Sequence, residues 1–354
     1  LDNEGCADAY ARGNDKTMRL LKVGPLGQIK EFDSIPVWMH GNILANESKN
    51  KLYVTTYEED LINGEYFSSV KVYTYSVGQE ITRISVTTLA DDAVIPLEAN
   101  PRVGADIDNQ GNVAVAFGNY IGVMFVHVLN AQTGIWTKHS ITYYTDTYMF
   151  DCVLYPYVRI NGLNCIKVVA NRDTSITKTG ENDNKLRRDY SRYFSYDGQN
   201  WSHFIIGDLR DKNKNGLTES KPLDLFIDGQ DTYIVTKEAL TVNYYKITSD
   251  GKITKQKFIR FKNQIALLFA KTAIVNGEKY FVVSGFGVKG FKQTGYVEVY
   301  DKDYNLIYRN NELCNSPYLY IDRHSINTLD IMVISRDKKY DKNCETHFLS
   351  LNFE

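Results

Sequence analysis

Short, nearly continuous apolar segments recur along this chain, and polar turns separate them. No long stretch places apolar residues at the three- and four-residue spacing of an amphipathic helix, whereas strand-favouring residues, including 26 Tyr and 16 Phe, are abundant. Short continuous apolar runs are typical of strands that are covered on both faces. The pattern predicts an all-β protein with almost no helix. Its clearest strands span residues 51–57, 112–117, 165–170, 232–236, 279–284 and 330–335.

These strands recur at a period of roughly 50 to 60 residues, which is typical of propeller blades. A further strand segment precedes each of them, and a pair of strands joined by a polar turn follows. Several of the preceding links contain dipeptides that supply the positive φ angles of tight hairpins, at 110–111, 161–162, 228–229 and 276–277. We therefore predict a six-bladed β-propeller with four antiparallel strands in each blade.

The prolines support the same division into blades. Most of the seven prolines fall at the start of a blade's first strand, where proline is tolerated because that strand is a sheet edge. We expect these first strands to line a central channel. The prolines concerned are Pro36, Pro101, Pro156, Pro222 and Pro317.

The two ends of the chain are predicted to meet in one blade. We expect residues 1–17 to form an N-terminal extension and residues 18–354 to form a single propeller domain. The last blade takes three strands from residue 317 onward, and strands from the N-terminal part complete it, which gives one strand more than four. Either 346–353 or 18–23 is then an extra outer strand, and the sequence does not distinguish the two.

Charge and hydropathy narrow the function classes. The net charge of -2, from 41 Lys and Arg against 43 Asp and Glu, lacks the positive excess of a general nucleic-acid binder. No apolar run approaches the ~18 residues that a membrane-spanning helix needs. We expect a processed chain that is secreted, periplasmic or displayed on the cell surface, with no nucleic-acid partner and no transmembrane segment.

One polar turn has a distinctive composition. Residues 195–201 read Ser-Tyr-Asp-Gly-Gln-Asn-Trp, in which Asp and Ser can bond turn amides, Gly takes a positive φ, and the aromatic ring caps the blade edge. The segment resembles the Asp-box (BNR) turn of sialidase-like propellers, although it is one residue shorter than the usual Ser-x-Asp-x-Gly-x-x-Trp pattern. Segments 130–136 and 249–252 look like weaker copies. In that family the box lies away from the active face, so the resemblance implies the fold and not catalysis.

The same resemblance implies a site to search for. Sialidase-like enzymes place three arginines on the substrate carboxylate, and they carry an Arg-Ile-Pro tripeptide and a Tyr with a nearby Glu as nucleophile. This sequence contains no Arg-Ile-Pro. The candidates for ligand binding on or near the inner strands are Arg102, Arg159, Arg323, His40 and His324.

A glycoside hydrolase or lyase is the alternative function. Such an enzyme needs two carboxylates about 5 to 10 Å apart across the channel mouth. The inner-strand carboxylates are Asp106, Asp224 and Asp322. Each could instead accept a hydrogen bond from a turn amide, and no spacing in the sequence pairs them.

One loop has the ligand spacing of a calcium site. Residues 211–219 place oxygen donors at alternate positions around Gly216, but Pro222 replaces the usual bidentate Glu. A turn without an ion is the alternative. The predicted ligands of one structural calcium ion are Asp211, Asn213, Asn215, Leu217 and Glu219. No nucleotide cofactor is expected, because the glycine-rich segment 285–290 precedes a strand and not a helix.

The five cysteines indicate one disulfide. Cys314 and Cys344 precede strands of the last blade at the same face, and we expect them to be bonded. A tight turn is expected to set Cys165 opposite Val158, which puts it out of reach of Cys152. Cys165 is then a buried free thiol.

Two sets of long loops are expected to share one face, and long loops on a rigid scaffold are where recognition concentrates. Tyrosines at their bases, among them Tyr57 and Tyr148, could stack on a sugar, contact a protein or only seal adjoining blades. We predict an exported, non-catalytic binding module for a glycan or protein ligand. A scaffold within a larger envelope assembly is a further alternative. The loops are 58–65, 89–100, 143–155, 171–188, 207–221 and 286–295.

Overall fold

The structure is a computed structural model that describes residues 7–12, 17–23, 28–37, 39–46, 48, 50–91, 103–118, 123–142, 150–175, 190–206, 220–238, 241–260, 264–289, 292–313, 318–322, 328–336 and 344–353. All regular secondary structure in these residues is β-strand, which confirms the all-β prediction. Within these ranges there is no helix with the length and apolar character needed to span a membrane.

The strands pair in chain order into antiparallel sheets. Sheet 1 contains β1 (Ala7–Arg12), β2 (Thr17–Val23) and β3 (Ile29–Pro36); sheet 2 contains β4 (Met39–Ala45), β5 (Lys51–Ile62), β6 (Glu65–Val77) and β7 (Ile81–Asp91); sheet 3 contains β8 (Gly104–Ile107), β9 (Val113–Gly118), β10 (Val123–Leu129) and β11 (Trp136–Thr142); sheet 4 contains β12 (Phe150–Ile160), β13 (Ile166–Ser175), β14 (Tyr190–Tyr196) and β15 (Trp201–Ile206); sheet 5 contains β16 (Ser220–Asp228), β17 (Asp231–Glu238), β18 (Thr241–Ile247) and β19 (Ile253–Arg260); sheet 6 contains β20 (Gln264–Val275), β21 (Glu278–Lys289), β22 (Lys292–Tyr300) and β23 (Leu306–Leu313); sheet 7 contains β24 (Tyr318–Asp322), β25 (Thr328–Arg336) and β26 (Cys344–Asn352).

The strands predicted from continuous apolar runs are the second strands of sheets 2 to 7. In β9 every residue is buried. Its alternate side chains enter two different hydrophobic clusters, because Ala114 and Ala116 contact sheet 4 while Val113, Val115 and Phe117 contact sheet 2. A strand with sheets packed on both faces has no polar side, which explains the absence of alternation in its sequence.

The predicted tight turns are also confirmed. Gly111, Gly162, Gly229 and Gly277 have φ values of 84°, 84°, 60° and 76°. Each lies between the first and second strands of its sheet. Glycine adopts this left-handed conformation without the steric cost that a Cβ atom would bring.

By internal contacts the chain divides into two compact units, Leu1–Ser220 and Lys221–Glu354. In the first unit, hydrophobic clusters join sheet 1 to sheet 2, sheet 2 to sheet 3, and sheet 3 to sheet 4. In the second unit, similar clusters join sheet 5 to sheet 6 and sheet 6 to sheet 7. Consecutive sheets thus pack face to face inside each unit, as propeller blades do.

The three named prolines that lie in the described residues are on edge strands, but one of them is on a different strand from the predicted one. Pro156 falls at a register shift in the edge strand β12, and Pro222 is near the start of the edge strand β16. Pro36 does not begin the first strand of sheet 2. It ends β3, where it lies opposite Thr17, and the edge position of β3 explains why proline is tolerated there. Pro101 and Pro317 lie outside the described residues.

The strands near the chain ends form two separate three-stranded sheets. β1, which lies within the predicted N-terminal extension, pairs with β2, and β2 pairs with β3. β24, β25 and β26 pair only with one another in the sheet assignment of the described strands. The described strands therefore form seven sheets, and neither the count of six blades nor the closure of the ring is seen directly.

The two ends of the strands differ in each four-stranded sheet. At one end, called here the short-turn edge, lie the turns between the first and second strands and between the third and fourth strands. At the opposite end, called the long-loop edge, lie the other connections. Segment 58–65, predicted as a loop, is instead a hairpin that turns at Asn63 and Gly64, with φ values of 53° and 85°. Its rungs from Glu59 to Ile62 extend past the paired ends of β4 and β7. Segment 286–295 is likewise paired strand over most of its length.

Candidate functional site

Asp106 lies on β8, the edge strand of sheet 3, and reaches across to sheet 4. Its Oδ2 accepts a hydrogen bond from the main-chain N–H of Ile160 at 3.0 Å. Its Oδ1 is 3.7 Å from Nη1 of Arg159, which also donates to the carbonyl of Val158 at 2.9 Å. The predicted acid and one predicted ligand-binding arginine are therefore brought together. They lie near the short-turn edge, because β12 ends at Ile160.

Asp224 makes an equivalent arrangement in the second unit. It lies on β16, the edge strand of sheet 5, and is fully buried. Its Oδ2 accepts from the main-chain N–H of Thr272 at 2.7 Å, and its Oδ1 is 3.5 Å from Nζ of Lys271. In both cases an Asp on the first strand of one sheet binds the first strand of the next sheet. The residue just before the donating amide supplies the cation.

The side-chain amide of Asn42 also binds the main chain of a neighbouring segment. From β4 its Nδ2 donates to the carbonyl of Val103 at 2.8 Å and to Oγ1 of Thr55 at 3.1 Å. Polar side chains of three first strands thus hold a neighbouring segment through its main chain. Such contacts satisfy main-chain groups at an edge that has no further strand to pair with.

Asp108, in the turn after β8, ties this turn to sheet 4. Its Oδ1 accepts from the main-chain N–H groups of Gln110 and Asn112 at 2.9 and 2.8 Å. Its Oδ2 accepts from Nδ2 of Asn112 at 2.8 Å and from the main-chain N–H of Gly162 at 3.0 Å. Asp108 was not among the residues predicted from the sequence, although an Asp that opens a turn closed by Gly is a recognisable signal.

Tyr57 is placed in the core and not on an accessible surface. Its side chain is fully buried in the cluster between sheets 2 and 3, and its hydroxyl donates to Oγ of Ser68 at 2.6 Å. The ring therefore seals adjoining sheets, which is the structural one of the three roles considered for it.

A buried carboxylate that the sequence did not reveal lies one residue further along β5. Glu58 is 1% exposed. It accepts hydrogen bonds from Nζ of Lys71 and from the hydroxyl of Tyr73, both at 2.5 Å, and from Oγ1 of Thr56 at 3.1 Å. Glu298, also 1% exposed, has similar neighbours in sheet 6: the hydroxyl of Tyr300 at 2.5 Å and Nε of Arg309 at 2.8 Å.

These two Tyr–Glu pairs do not have the properties of an activated nucleophile. Burial, and then the hydrogen bond to Glu58, raise the pKa of Tyr73 well above its ordinary value. Burial and the bond to Glu298 do the same to the pKa of Tyr300. A phenol that attacks a substrate needs a lowered pKa or an adjacent base in an accessible cleft. Each buried carboxylate is instead balanced by a cation of its own sheet, Lys71 for Glu58 and Arg309 for Glu298.

The turn that resembles an Asp-box has part of the geometry expected of it. The Asp and Gly behave as predicted, whereas Oγ of Ser195 accepts from Nζ of Lys167 at 2.5 Å and not from a turn amide. Oδ1 of Asp197 accepts from the main-chain N–H groups of Gln199 and Asn200 at 2.9 and 2.7 Å, and these bonds lower the pKa of the carboxyl. Gly198 has φ of 98°, and the ring centroids of Tyr196 and Trp201 are 5.1 Å apart. The turn joins β14 and β15, the third and fourth strands of sheet 4.

Several predicted site residues cannot be placed. Arg102, Arg323, His324, Tyr148, Cys314 and the loop 211–219 lie outside the described residues. His40, Asp322 and Cys344 lie on β4, β24 and β26, and their side chains are also outside the described part. Over the ranges that are described, no group of three or more His, Cys, Asp or Glu side chains is arranged to hold a metal ion.

Cys165 is a free thiol, as predicted, but it is partly exposed and not buried, and its predicted pairing is also wrong. Its carbonyl accepts from the N–H of Asn161 at 2.9 Å, so it lies opposite Asn161. Val158 pairs with Val168 instead. The turn is longer than the two-residue turn expected at 161–162: Ile160 pairs with Ile166, and inside the turn Cys165 donates its N–H to the carbonyl of Gly162. The inferred separation from Cys152 holds, since Cys152 pairs with Asp173.

Comparison with solved structures identifies the architecture. The chain resembles the periplasmic gluconolactonase PpgL of Pseudomonas aeruginosa, with a TM-score of 0.52, 10% sequence identity, and coverage of 98% of this chain and 95% of that one. It also resembles BBS1N in its complex with ARL6DN, with a TM-score of 0.52, 12% identity, and coverage of 94% and 89%. No family model matches the chain, and no curated protein matches it. These similarities, together with the successive four-stranded antiparallel sheets, show that the chain has a β-propeller fold.

Proposed function

We propose that this chain is an exported, non-catalytic binding propeller that recognises a glycan or protein ligand at its long-loop edge. The observation that carries the proposal is the use made of the inner-strand carboxylates. In Asp106 and Asp224, one carboxylate oxygen accepts a hydrogen bond from a main-chain N–H of the next sheet, and the other oxygen lies beside a cation. A general acid or nucleophile must instead direct an oxygen at the substrate.

The shapes of the two sheet edges favour the long-loop edge as the binding side. At the short-turn edge the turns are compact and bonded internally, as at Asp108 and Asp197. At the opposite edge the hairpin β5–β6 extends past its flanking strands. A projecting hairpin on a rigid sheet offers main-chain and side-chain groups to a partner at small entropic cost.

The alternative function is a glycoside hydrolase or lyase. A propeller fold accommodates both classes, since one similar structure is named as a gluconolactonase and another is in complex with a partner protein. Fold similarity at this level of identity transfers neither role.

A glycan array combined with a panel of fluorogenic glycosides separates the two functions. We expect selective binding without turnover, and unchanged binding in Asp224→Asn and Asp106→Asn. Asp303→Asn, in an exposed turn, is the matched control for loss of one carboxylate. Turnover that Asp224→Asn, Asp106→Asn or Asp322→Asn abolishes, and Asp303→Asn does not, would establish the enzyme instead.

The proposal retains a six-bladed ring in which sheets 1 and 7 together supply the blade shared by the chain ends. End-on views in electron microscopy test it directly. Six blades support the shared blade, whereas seven separate blades contradict it.

A structural calcium ion in loop 211–219 and a disulfide between Cys314 and Cys344 belong to the same proposal. Equilibrium dialysis should detect one bound calcium ion, and Asp211→Ala should abolish its binding. Thiol titration of the unfolded chain should find three of the five cysteines free. Five free thiols would exclude the disulfide.

A further inference from the structure

Three hairpin turns of the described chain contain an Asn-Gly pair, and the turns differ in the hydrogen bonding of the glycine main-chain N–H. Asn63 and Asn276 are exposed, with φ values of 53° and 52°. Gly162 differs from the other two glycines, because its main-chain N–H donates to Oδ2 of Asp108 at 3.0 Å. The three pairs are 63–64, 161–162 and 276–277.

We propose that Asn63 and Asn276 are sites of spontaneous deamidation and that Asn161 is protected. The main-chain nitrogen of the following glycine attacks Cγ of the asparagine, a C–N bond forms, and the amide nitrogen leaves as ammonia. The cyclic imide then takes up one water at either carbonyl. The products are aspartate and isoaspartate, and the whole conversion exchanges an amide for a carboxylate without oxidation or reduction.

The hydrogen bond to Asp108 is what distinguishes Asn161. The attacking nitrogen must lose its proton and rotate toward Cγ, and a bond to a carboxylate opposes both steps. Asp108 is itself 8% exposed and is fixed by two further donors from Asn112, so it cannot follow a rotating glycine. Space does not distinguish the sites, since a Cβ built at Gly64, Gly162 or Gly277 would meet nothing within 4 Å.

Asn63 should react faster than Asn276. At the 63–64 tip, four rungs of the hairpin lie beyond the paired ends of both flanking strands. Beside the turn at 276–277, Val275 is instead buried in the cluster of sheets 6 and 7, and Glu278 pairs with Lys302. The reactive geometry requires local opening of the turn, and opening costs least where the fewest contacts among the described residues hold the turn closed.

Mass spectrometry of the folded protein tests the ranking. Wild type is incubated in mildly alkaline buffer at physiological temperature and digested with trypsin, which places the three asparagines in peptides 52–71, 160–167 and 272–279. We expect conversion in the order Asn63, Asn276, Asn161, with Asn161 at least about tenfold slower than Asn276. In urea the three rates should converge, because each asparagine is then followed by an unrestrained glycine.

Two variants isolate the cause. Asp108→Ala should raise the rate at Asn161 to that at Asn276, while Asp108→Asn, which keeps an acceptor oxygen, should preserve most of the protection. If Asp108→Ala does not fold, the wild-type ranking and its collapse in urea still decide. Equal rates at Asn161 and Asn276 in the folded protein would overturn the proposal, as would an absence of conversion at Asn63 and Asn276 where the urea-unfolded chain reacts.

Discussion

Tyr304 occupies a turn position that glycine fills in other sheets. Its N–H donates to the carbonyl of Asp301 at 3.0 Å, just as the N–H of Gly251 donates to Thr248 at 2.8 Å in sheet 5. Both residues have a positive φ, 63° and 79°. In a residue with a Cβ atom this conformation costs about 1–2 kcal/mol. The packing of the tyrosine ring offsets that cost: it stacks on Phe281, with centroids 4.8 Å apart and an angle of 7° between the rings.

Replacing Tyr304 with glycine should therefore destabilise the protein, although it relieves the backbone strain. Loss of a fully buried aromatic ring costs about 3–5 kcal/mol. Tyr304 is only partly buried, so we take the lower end of this range, which exceeds the strain released, and expect the free energy of unfolding to fall by about 1–2 kcal/mol. Urea denaturation measures the difference. Tyr304→Phe keeps the ring and should lose less. A Tyr304→Gly variant as stable as wild type would show that the packing energy of the ring is no larger than the backbone strain that the substitution releases.

His127 is a second residue whose environment sets its chemistry. It is 5% exposed, and its ring stacks on that of Phe117 with centroids 5.5 Å apart. Burial, helped by the positive charges of Lys138 and His139, lowers the pKa of His127 from 6.5 to about 4.

This lowered pKa predicts a loss of stability in mild acid. Between pH 6.5 and about 4 the unfolded chain binds a proton at His127 that the folded chain does not, so the free energy of unfolding decreases as pH falls. The full contribution is about 3 kcal/mol. His127→Phe removes it, and unfolding free energies measured across this pH range should fall less steeply in the variant. Parallel pH profiles for both proteins would exclude the effect.

At the scale of strands, the buried carboxylate of Asp224 links sheet 5 to sheet 6. Asp224→Ala leaves the buried N–H of Thr272 without its acceptor, and we expect a loss of about 2–3 kcal/mol in thermal or urea unfolding. Asp228→Ala is the matched control on the same strand. Its carboxylate is 40% exposed and pairs with Lys279, so its removal should cost less than about 1 kcal/mol. Equal losses in the two variants would mean that the buried bond is not special.

The strands could be predicted from the sequence because burial on both faces leaves a direct trace. β9 and β13 appear as continuous apolar runs, and glycines mark the turns beside them. The length of β5 could not be predicted, since its continuation through Glu58, Glu59 and Asp60 has the polarity of a loop. What keeps that segment paired is the partner strand β6 and the turn at Asn63 and Gly64.

The candidate site was less predictable than the strands. Composition and spacing identified Asp106 and Arg159, but not that they would meet each other, because they lie on two different sheets, 53 positions apart in the chain. Glu58 and Glu298 look like ordinary strand residues in the sequence. Only the packed sheets show that each acid is buried with a tyrosine and a cation. Tertiary partners of this kind leave no local signal.

At the scale of the whole molecule, sheet 1 tests whether neighbouring sheets depend on one another for their cores. Its Met18, Leu20 and Ile35 pack in one cluster with residues of sheet 2, and its Asp33 accepts from the hydroxyl of Tyr75 at 2.7 Å.

Deleting residues 1–37 would expose the facing side of sheet 2, whose buried members are Leu52, Val54, Tyr73 and Tyr75. Burial of each such side chain contributes about 1.5–3 kcal/mol, whereas the whole stability of a domain is about 5–15 kcal/mol. Because the loss is comparable to that total, we expect the first unit to lose its cooperative unfolding transition and to bind a hydrophobic dye. Deletion of residues 1–12 keeps β2 and β3 and should preserve a cooperative transition. If the larger deletion melts cooperatively at the wild-type temperature, sheet 2 does not need sheet 1, and the blade-by-blade sharing of cores fails at this end of the chain.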